Sequence, residues 1–329
     1  MNPTRIFEIL DHQLKNNPLE CCLSTKKNGL WINKSTLEFY EMVNQITFAL
    51  LKLGVKPNEK IALISSTNRT EWSVIDMGIL QLGAITVPLY PNISSNDYEF
   101  ILNHSESTYC FVSDKEIYLK LASIKKNVKG LKGIYSFDKI SGCKNWLNLI
   151  ELGKKNQDQH KLNKYRSNIS DSDVATIIYT SGTTGIPKGV MLTHKNIVSN
   201  VISASKKFPF KKKQIALSFL PLCHIFERTF VYGYMYNGIS VNFAESLDTI
   251  SENLMEVKPN FMTAVPRLLE KVYEKIYNKG NEFSGLKKKI FFWSIKVALK
   301  FEPYNNNLIY LTKHWIAKKL VLSKWKNAL

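Results

Sequence analysis

From Thr36 to Leu53, TLEFYEMVNQITFALLKL, apolar residues recur every three or four positions. That spacing predicts an amphipathic helix with Thr36 as its N-cap and Gly54 as its stop. The pattern then switches: KIALIS, Lys60 to Ser65, is a short unbroken apolar run and reads as a buried strand. Helical spacing returns from Asn68 to Gly83, and AITVPLY follows as a second strand ended near Pro88 and Pro91. Ser95 to Ser105 is helical again and leads into the strand YCFVSD. Strands separated by helices imply an α/β fold, a parallel sheet with helices packed on its faces.

Between Lys154 and Ser170 apolar residues almost vanish, and the segment reads as an exposed linker or loop. It divides the chain into a first α/β region over 1–150, a polar linker over 151–170 and a second region over 171–329. The second region opens with a β-branched run, DVATIIYT (Asp173 to Thr180), and has a strand-like VML after Gly189. A helix from about Thr193 to Lys207, the strands IALSFLP and SVNF, and a helix from Leu247 to Val257 come next. A long helix is expected from about Arg267 to Lys279, and the remaining C-terminal stretch is helical, basic and aromatic. Pro266 suits a helix start, so Arg267 is expected to support the fold rather than the chemistry.

The 329 residues can bury a substantial core, and 44% hydrophobic with 22% charged residues is a soluble, globular balance. A net charge of +18 favours anionic partners, although Lys and Asn are spread along the whole chain as a compositional habit would spread them. No nucleic-acid-binding module accompanies the charge, so nucleic acid is not an expected partner. Five cysteines without CxxC spacing indicate neither a disulfide framework nor a zinc site. The N-terminus carries charges where a signal peptide would be apolar, and no stretch reaches the 18 or so uninterrupted apolar residues of a membrane span. The expectation is a soluble or peripheral protein.

The chemistry concentrates in YTSGTTGIPKGV, Tyr179 to Val190. Gly182, Gly185 and Gly189 allow positive φ and close approach of backbone N–H groups to an anion. Thr180, Ser181, Thr183 and Thr184 add hydroxyl donors, and Lys188 adds a mobile point charge. A Walker loop needs Lys directly after its last Gly and a helix behind it. Here Pro187 precedes Lys188 and a strand follows, so a strand–loop–strand hairpin is expected to wrap the phosphates.

The run YTSGTTGIPKGVMLTHKNI resembles the signature of the adenylate-forming superfamily. GAITVPLYPNIS, FLPLCHIFERTF and AESLDTISENLMEVKPNFMTAVPRLLEKVYEKI resemble its long-chain fatty acyl-CoA synthetase branch. The resemblance runs from roughly Trp31 to the C-terminus and implies a layered αβαβα N-terminal domain. It also implies a reaction in two halves. A fatty carboxylate attacks the α-phosphorus of ATP with Mg2+, and coenzyme A then displaces AMP. By this correspondence Ser181, Gly182, Thr183, Thr184, Gly185 and Lys188 grip the β- and γ-phosphates, with Thr180 beside the magnesium ion. His224 falls near the adenylate and the acyl tunnel, with an internally hydrogen-bonded cap of a strand end as the other reading of the same residue. For Glu227 and Arg228 a local ion pair is expected at least as much as a ligand role, and the apolar residues from Phe219 to Phe243 suit a tunnel wall or ordinary core.

The resemblance implies a place in the cytoplasm or peripherally on the endoplasmic reticulum membrane; the basic aromatic stretch from Leu286 to Trp325 reads either as an ordinary surface helix pair or as a peripheral membrane contact. The adenine-stacking segment, the acidic magnesium partner, the ribose Asp, the hinge and the small C-terminal domain of such enzymes find no match in this sequence. An N-terminal portion with an incomplete third subdomain, inactive alone, is therefore expected. The alternative is a non-catalytic nucleotide- or acyl-binding relative acting with a full-length enzyme.

Overall fold

The computed structural model describes residues 2–180, 187–246, 248–304 and 307–326. They form two compact units, Met1–Ile250 with Pro259–Thr263, and Ser251–Lys258 with Ala264–Leu329. In chain order the strands are β1 (Leu23–Lys27), β2 (Leu30–Lys34), β3 (Lys60–Ile64), β4 (Ile85–Leu89), β5 (Ser107–Val112) and β6 (Gly133–Ser136). They continue as β7 (Lys144–Asn145), β8 (Val174–Thr180), β9 (Lys188–Thr193), β10 (Ile215–Ser218), β11 (Ser240–Phe243) and β12 (Phe261–Met262).

All twelve lie in the first unit. A seven-stranded sheet has the order β7-β6-β5-β3-β4-β8-β9, and a five-stranded sheet the order β12-β10-β11-β1-β2. Both are parallel apart from one antiparallel pair each, β8 with β9 and β1 with β2. Side chains alternate across the larger sheet with period two. Ile61, Leu63, Tyr109 and Phe111 enter the core between the sheets, while Ala62, Ile64, Cys110 and Val112 pack on the opposite face. Helices Ser95–His104 and Lys115–Ile124 cover that opposite face with Tyr98, Leu102, Ile117 and Leu121. Helix Thr70–Leu80 has every residue but Glu71 buried, and it touches β1 of one sheet and β3 and β4 of the other. It reads as apolar all round because it is a central layer.

The first predicted helix is Thr36–Lys52, one residue offset at its cap. Ser35, not Thr36, is the N-cap, and it forms a capping box with Glu38. Pro88 sits inside β4, not at its end. The segment expected as a loop or linker contains helix Gln159–Ser167, preceded by helix Leu147–Lys155. Polarity misled there, because the anchors are sparse. Asp158 caps the second helix, Leu162 is fully buried, and Arg166 pairs with Asp11. Arg5 donates to the Ile169 carbonyl at 2.9 Å. Gly153 is required by packing: a Cβ there would lie 1.8 Å from the Gln45 carbonyl oxygen.

The second unit is helical, with Pro266–Asn281, Gly285–Ala298 and Leu308–Ala317 as its longer elements. Pro266 occupies the first turn as expected, and Arg267 is exposed and paired with Glu270 at 3.1 Å. Among the described residues no helix is long and apolar enough to cross a membrane.

Candidate functional site

The expected hairpin is present. Strand β8 pairs antiparallel with β9 through Ile177–Met191, Ile178–Val190 and Tyr179–Gly189, ending at Thr180–Lys188. A strand, not a helix, therefore begins at Lys188, and helix His194–Lys207 starts only after a Thr193–Asn196 capping box. Thr180 and Lys188 face each other across the mouth of the hairpin, both exposed. Ser181, Gly182, Thr183, Thr184 and Gly185 lie outside the described residues. Gly189 does not use positive φ; it is a strand residue whose added Cβ would come within 2.8 Å of Ile177. Small size at this position lets β9 close on β8. The Tyr179 hydroxyl and His104 Nδ1 share a 2.7 Å hydrogen bond, which ties the end of β8 to helix Ser95–His104.

His224 is the N-cap of helix Ile225–Tyr236, and its Nδ1 accepts from the Phe226 N–H at 3.2 Å. It caps a helix, not a strand end. An imidazole that accepts through Nδ1 carries its proton on Nε2, and the ring is exposed. Asn68, just beyond β3, fixes the approach to this cap: its Nδ2 donates to the Leu220 carbonyl at 2.7 Å and to Ser218 Oγ at 3.0 Å. Its Oδ1 accepts from the Leu222 N–H at 3.2 Å. Because β3, β4 and β8 run parallel, Asn68 marks the edge of the sheet at which Thr180 also emerges. His224 and the hairpin mouth thus belong to one sheet edge, where α/β folds commonly place ligands.

Glu227 and Arg228 overturn the expected local ion pair. Both are fully buried, and their charged groups find partners in different sheets. Arg228 forms an ion pair with Asp76, donates to Thr176 Oγ1 of β8 at 2.8 Å and to the Tyr232 hydroxyl at 2.7 Å. Asp76 also accepts from Tyr232 and from Thr86 Oγ1 of β4. Glu227 accepts from Ser218 of β10 at 2.6 Å and from Thr263 beyond β12. Burial, only partly offset by those two hydroxyls, pushes its pKa up to about 7. One helix is therefore clamped to the larger sheet by an arginine and to the smaller by its neighbouring glutamate. Sequence reasoning missed Asp76, Thr176 and Asn68. Asp76 and Thr176 are single polar residues where a helix or strand pattern demands an apolar one, which was their signal, whereas Asn68 lies in the polar stretch STNRT and carried none.

A separate recess of about 360 Å³ is lined by Thr25, Lys26, Arg69, Asp138, Trp146 and Glu245 among others. Arg69 there is matched by Glu71 at 2.7 Å and Asp138 at 3.1 Å, and none of the sequence-predicted site residues lines it. Among the described residues no group of three or more His, Cys, Asp or Glu could hold a metal ion.

The layered sheets and the hairpin define the N-terminal domain fold of the adenylate-forming enzymes. The chain belongs to the AMP-binding enzyme family, whose model matches residues 10–299. It is 28% identical over 309 residues to the long-chain-fatty-acid–CoA ligase FadD15 of Mycobacterium bovis, covering 92% of this chain and 50% of that protein. It is 32% identical to fatty acyl-CoA synthetase A of Dictyostelium discoideum over 301 residues, covering 87% and 43%. Among solved structures, a long-chain-fatty-acid–CoA ligase (FadD1) from Archaeoglobus fulgidus superposes with a TM-score of 0.71 at 20% identity, covering 84% of this chain and 54% of that one. The anthranilate CoA ligase AuaEII superposes with a TM-score of 0.65 at 21% identity, covering 78% and 48%. The chain spans about half the length of the curated relatives it matches.

Proposed function

We propose that this chain carries the phosphate-gripping part of an ATP-dependent long-chain fatty acyl-CoA synthetase. The observation that carries the reading is the pairing of Lys188 with Thr180 at the mouth of a strand–loop–strand hairpin, in a chain of the AMP-binding family. The relatives of this chain supply the substrate class, a long-chain fatty acid with ATP and coenzyme A.

In the first half-reaction a carboxylate oxygen bonds to the α-phosphorus while the bond to the β-phosphate oxygen breaks, so negative charge accumulates on pyrophosphate. A fixed cation and preorganised donors at that charge lower the barrier. Lys188 supplies the cation, and Ser181, Gly182, Thr183, Thr184 and Gly185 supply loop N–H and hydroxyl donors. Thr180 offers an exposed hydroxyl, a hard oxygen of the kind Mg2+ accepts. The ion would enter here as a companion of the nucleotide phosphates. Mg2+ would neutralise phosphate charge when bound. His224, with its proton on Nε2, can donate to the fatty carboxylate and orient it. Coenzyme A thiol then displaces AMP from the acyl-adenylate; no residue of this chain is assigned to that step.

The test is Lys188→Ala, an exposed substitution that leaves the fold intact. Loss of a charge-assisted phosphate contact weakens binding of a fluorescent ATP analogue by about tenfold or more. In a preparation that turns over, palmitate-dependent ATP–pyrophosphate exchange falls by the same factor. Unchanged affinity and exchange would sink the assignment.

A further inference from the structure

We infer that His104 is a positioning residue for the phosphate hairpin: through the Tyr179 hydroxyl it sets where Lys188 stands. The inference rests on the phosphate-gripping role proposed above and extends it to a residue on another element.

The hairpin needs a tether because of its place in the sheet. Strand β8 pairs with β4 at Thr86–Thr176, and from Ile177 to Thr180 its register among the described residues is with β9. β9 is itself the last strand of that sheet. A two-stranded ribbon holds its shape poorly in water without packing from elsewhere. The exposed Thr180–Lys188 pair stands at the end of this ribbon.

Tyr179 supplies packing on the face opposite that pair, because successive side chains of a strand alternate. Its ring is 8% exposed and belongs to the apolar cluster that holds Val87, Leu89 and Tyr98. Across the ribbon it faces Gly189, where an added Cβ would lie 3.3 Å from its Cζ and 3.5 Å from its hydroxyl oxygen. The ring is therefore the floor beneath the residue that follows Lys188. A shift of the ring shifts Gly189, and Lys188 goes with it.

Packing alone does not fix the ring, since a phenylalanine would fill the same space. The hydroxyl adds direction, and a buried hydroxyl is costly unless it is bonded. It shares its 2.7 Å hydrogen bond with His104 Nδ1, and the Ser105 hydroxyl reaches the same oxygen. His104 is held in turn. Its ring stacks on Phe100 with centroids 5.4 Å apart and meets the Tyr179 ring edge-on at 5.7 Å. The helix that carries it is anchored by Tyr98, fully buried, whose hydroxyl donates to the Tyr90 carbonyl at 2.8 Å. Contact thus runs from helix Ser95–His104 through Tyr179 and Gly189 to Lys188.

The full chain is tested with a fluorescent ATP analogue and Mg2+ and, in parallel, by amide hydrogen exchange without nucleotide. His104 is exposed, so its replacement leaves the fold intact. His104→Leu is expected to weaken binding of the analogue by about threefold to tenfold, the worth of one hydrogen bond. Amide exchange over 177–180 and 187–191 should quicken by a similar factor, while exchange in the rest of the larger sheet stays at the wild-type rate. Tyr179→Phe should do at least as much, since it removes both partners of the hydroxyl, and adding His104→Leu to it should change nothing further. His104→Asn, whose carboxamide can stand where Nδ1 stands, should return both readouts to within about twofold of wild type.

A uniform rise in exchange through the whole sheet would make His104 a general stabiliser and overturn the proposal. Unchanged hairpin exchange, additive losses in the double variant, or a His104→Asn as weak as His104→Leu would overturn it too. Lys188→Ala separates this inference from the reading it rests on. If Lys188→Ala weakens the analogue and His104→Leu does not, His104 has no part in positioning and the phosphate reading stands. If neither weakens it, the phosphate reading fails and this inference falls with it.

Discussion

His224 has one observed duty, as a helix cap, and one proposed duty in the chemistry, and one substitution can separate them. Its Nδ1 satisfies the Phe226 N–H at the start of helix Ile225–Tyr236, while the proton on Nε2 is free to point at solvent or substrate. His224→Ala removes the cap and is expected to destabilise the chain by about 1 kcal/mol, whereas His224→Asn, a strong N-cap residue, restores most of that stability. Urea unfolding measures both. If the imidazole orients a carboxylate, His224→Asn restores stability but not adenylation in a preparation that turns over. Equal recovery of both by Asn would reduce His224 to a cap. Lys188 is the simpler case, since it lies exposed at the head of β9 and only its charge is at stake.

Helix Ile225–Tyr236 is the element on which the site depends, because it bridges the two sheets. The Arg228–Asp76 pair is wholly desolvated, with Thr176, Tyr232 and Thr86 completing its hydrogen bonds. Such a pair adds little net stability compared with a well-packed apolar replacement, but breaking it leaves a buried charge without a partner. Arg228→Met is therefore expected to destabilise by about 3–5 kcal/mol, and adding Asp76→Leu should recover a large part of the loss. Chemical denaturation of the two single variants and the double variant closes the cycle; additive effects would refute the coupling. The network also explains the register of the site. Arg228 grips Thr176, four residues before Thr180, and His224 stands one helical turn before Arg228.

At the scale of the whole molecule, two buried titrating groups act in opposite directions. Burial holds His194 down to about 4, where its Nδ1 accepts from the Ile6 N–H, so the folded chain resists protonating it. Stability from His194 is full above its unfolded value near 6.5 and is lost as pH falls towards 4. Glu227 is the converse: its folded value of about 7 exceeds the unfolded value of 4.5, so stability is lost as pH rises from 4.5 to 7. Glu227→Gln should match or trail the wild type at pH 4 and gain on it up to pH 7, by up to about 3 kcal/mol, then stay level. His194→Gln should gain on the wild type only as pH falls below 6.5. Thermal unfolding from pH 4 to 8 resolves both. A Glu227→Gln advantage that is constant with pH would show that the carboxyl titrates alike in the folded and unfolded chains, with no upward shift on burial.

Sequence patterning alone determined the α/β class, most strand positions and the pairing of the strands that flank Ser181–Gly185. Those features follow from local rules: alternating or continuous apolar runs, Gly and Pro placement, and a Lys that opens a strand. The linker reading of 151–170 failed because a helix needs only a few anchors. One capping Asp158, one buried Leu162 and one ion pair from Arg166 to Asp11 hold helix Gln159–Ser167, and the ion pair spans 155 positions of sequence. The partners of Arg228 and Glu227 were hidden for the same reason. Adjacent opposite charges on a helix suggest each other, yet burial between two sheets turned one towards Asp76 and the other towards Ser218 and Thr263. Composition fixed which groups could carry chemistry. Only tertiary structure decided which of them lost water, because desolvation depends on what the rest of the chain brings against them.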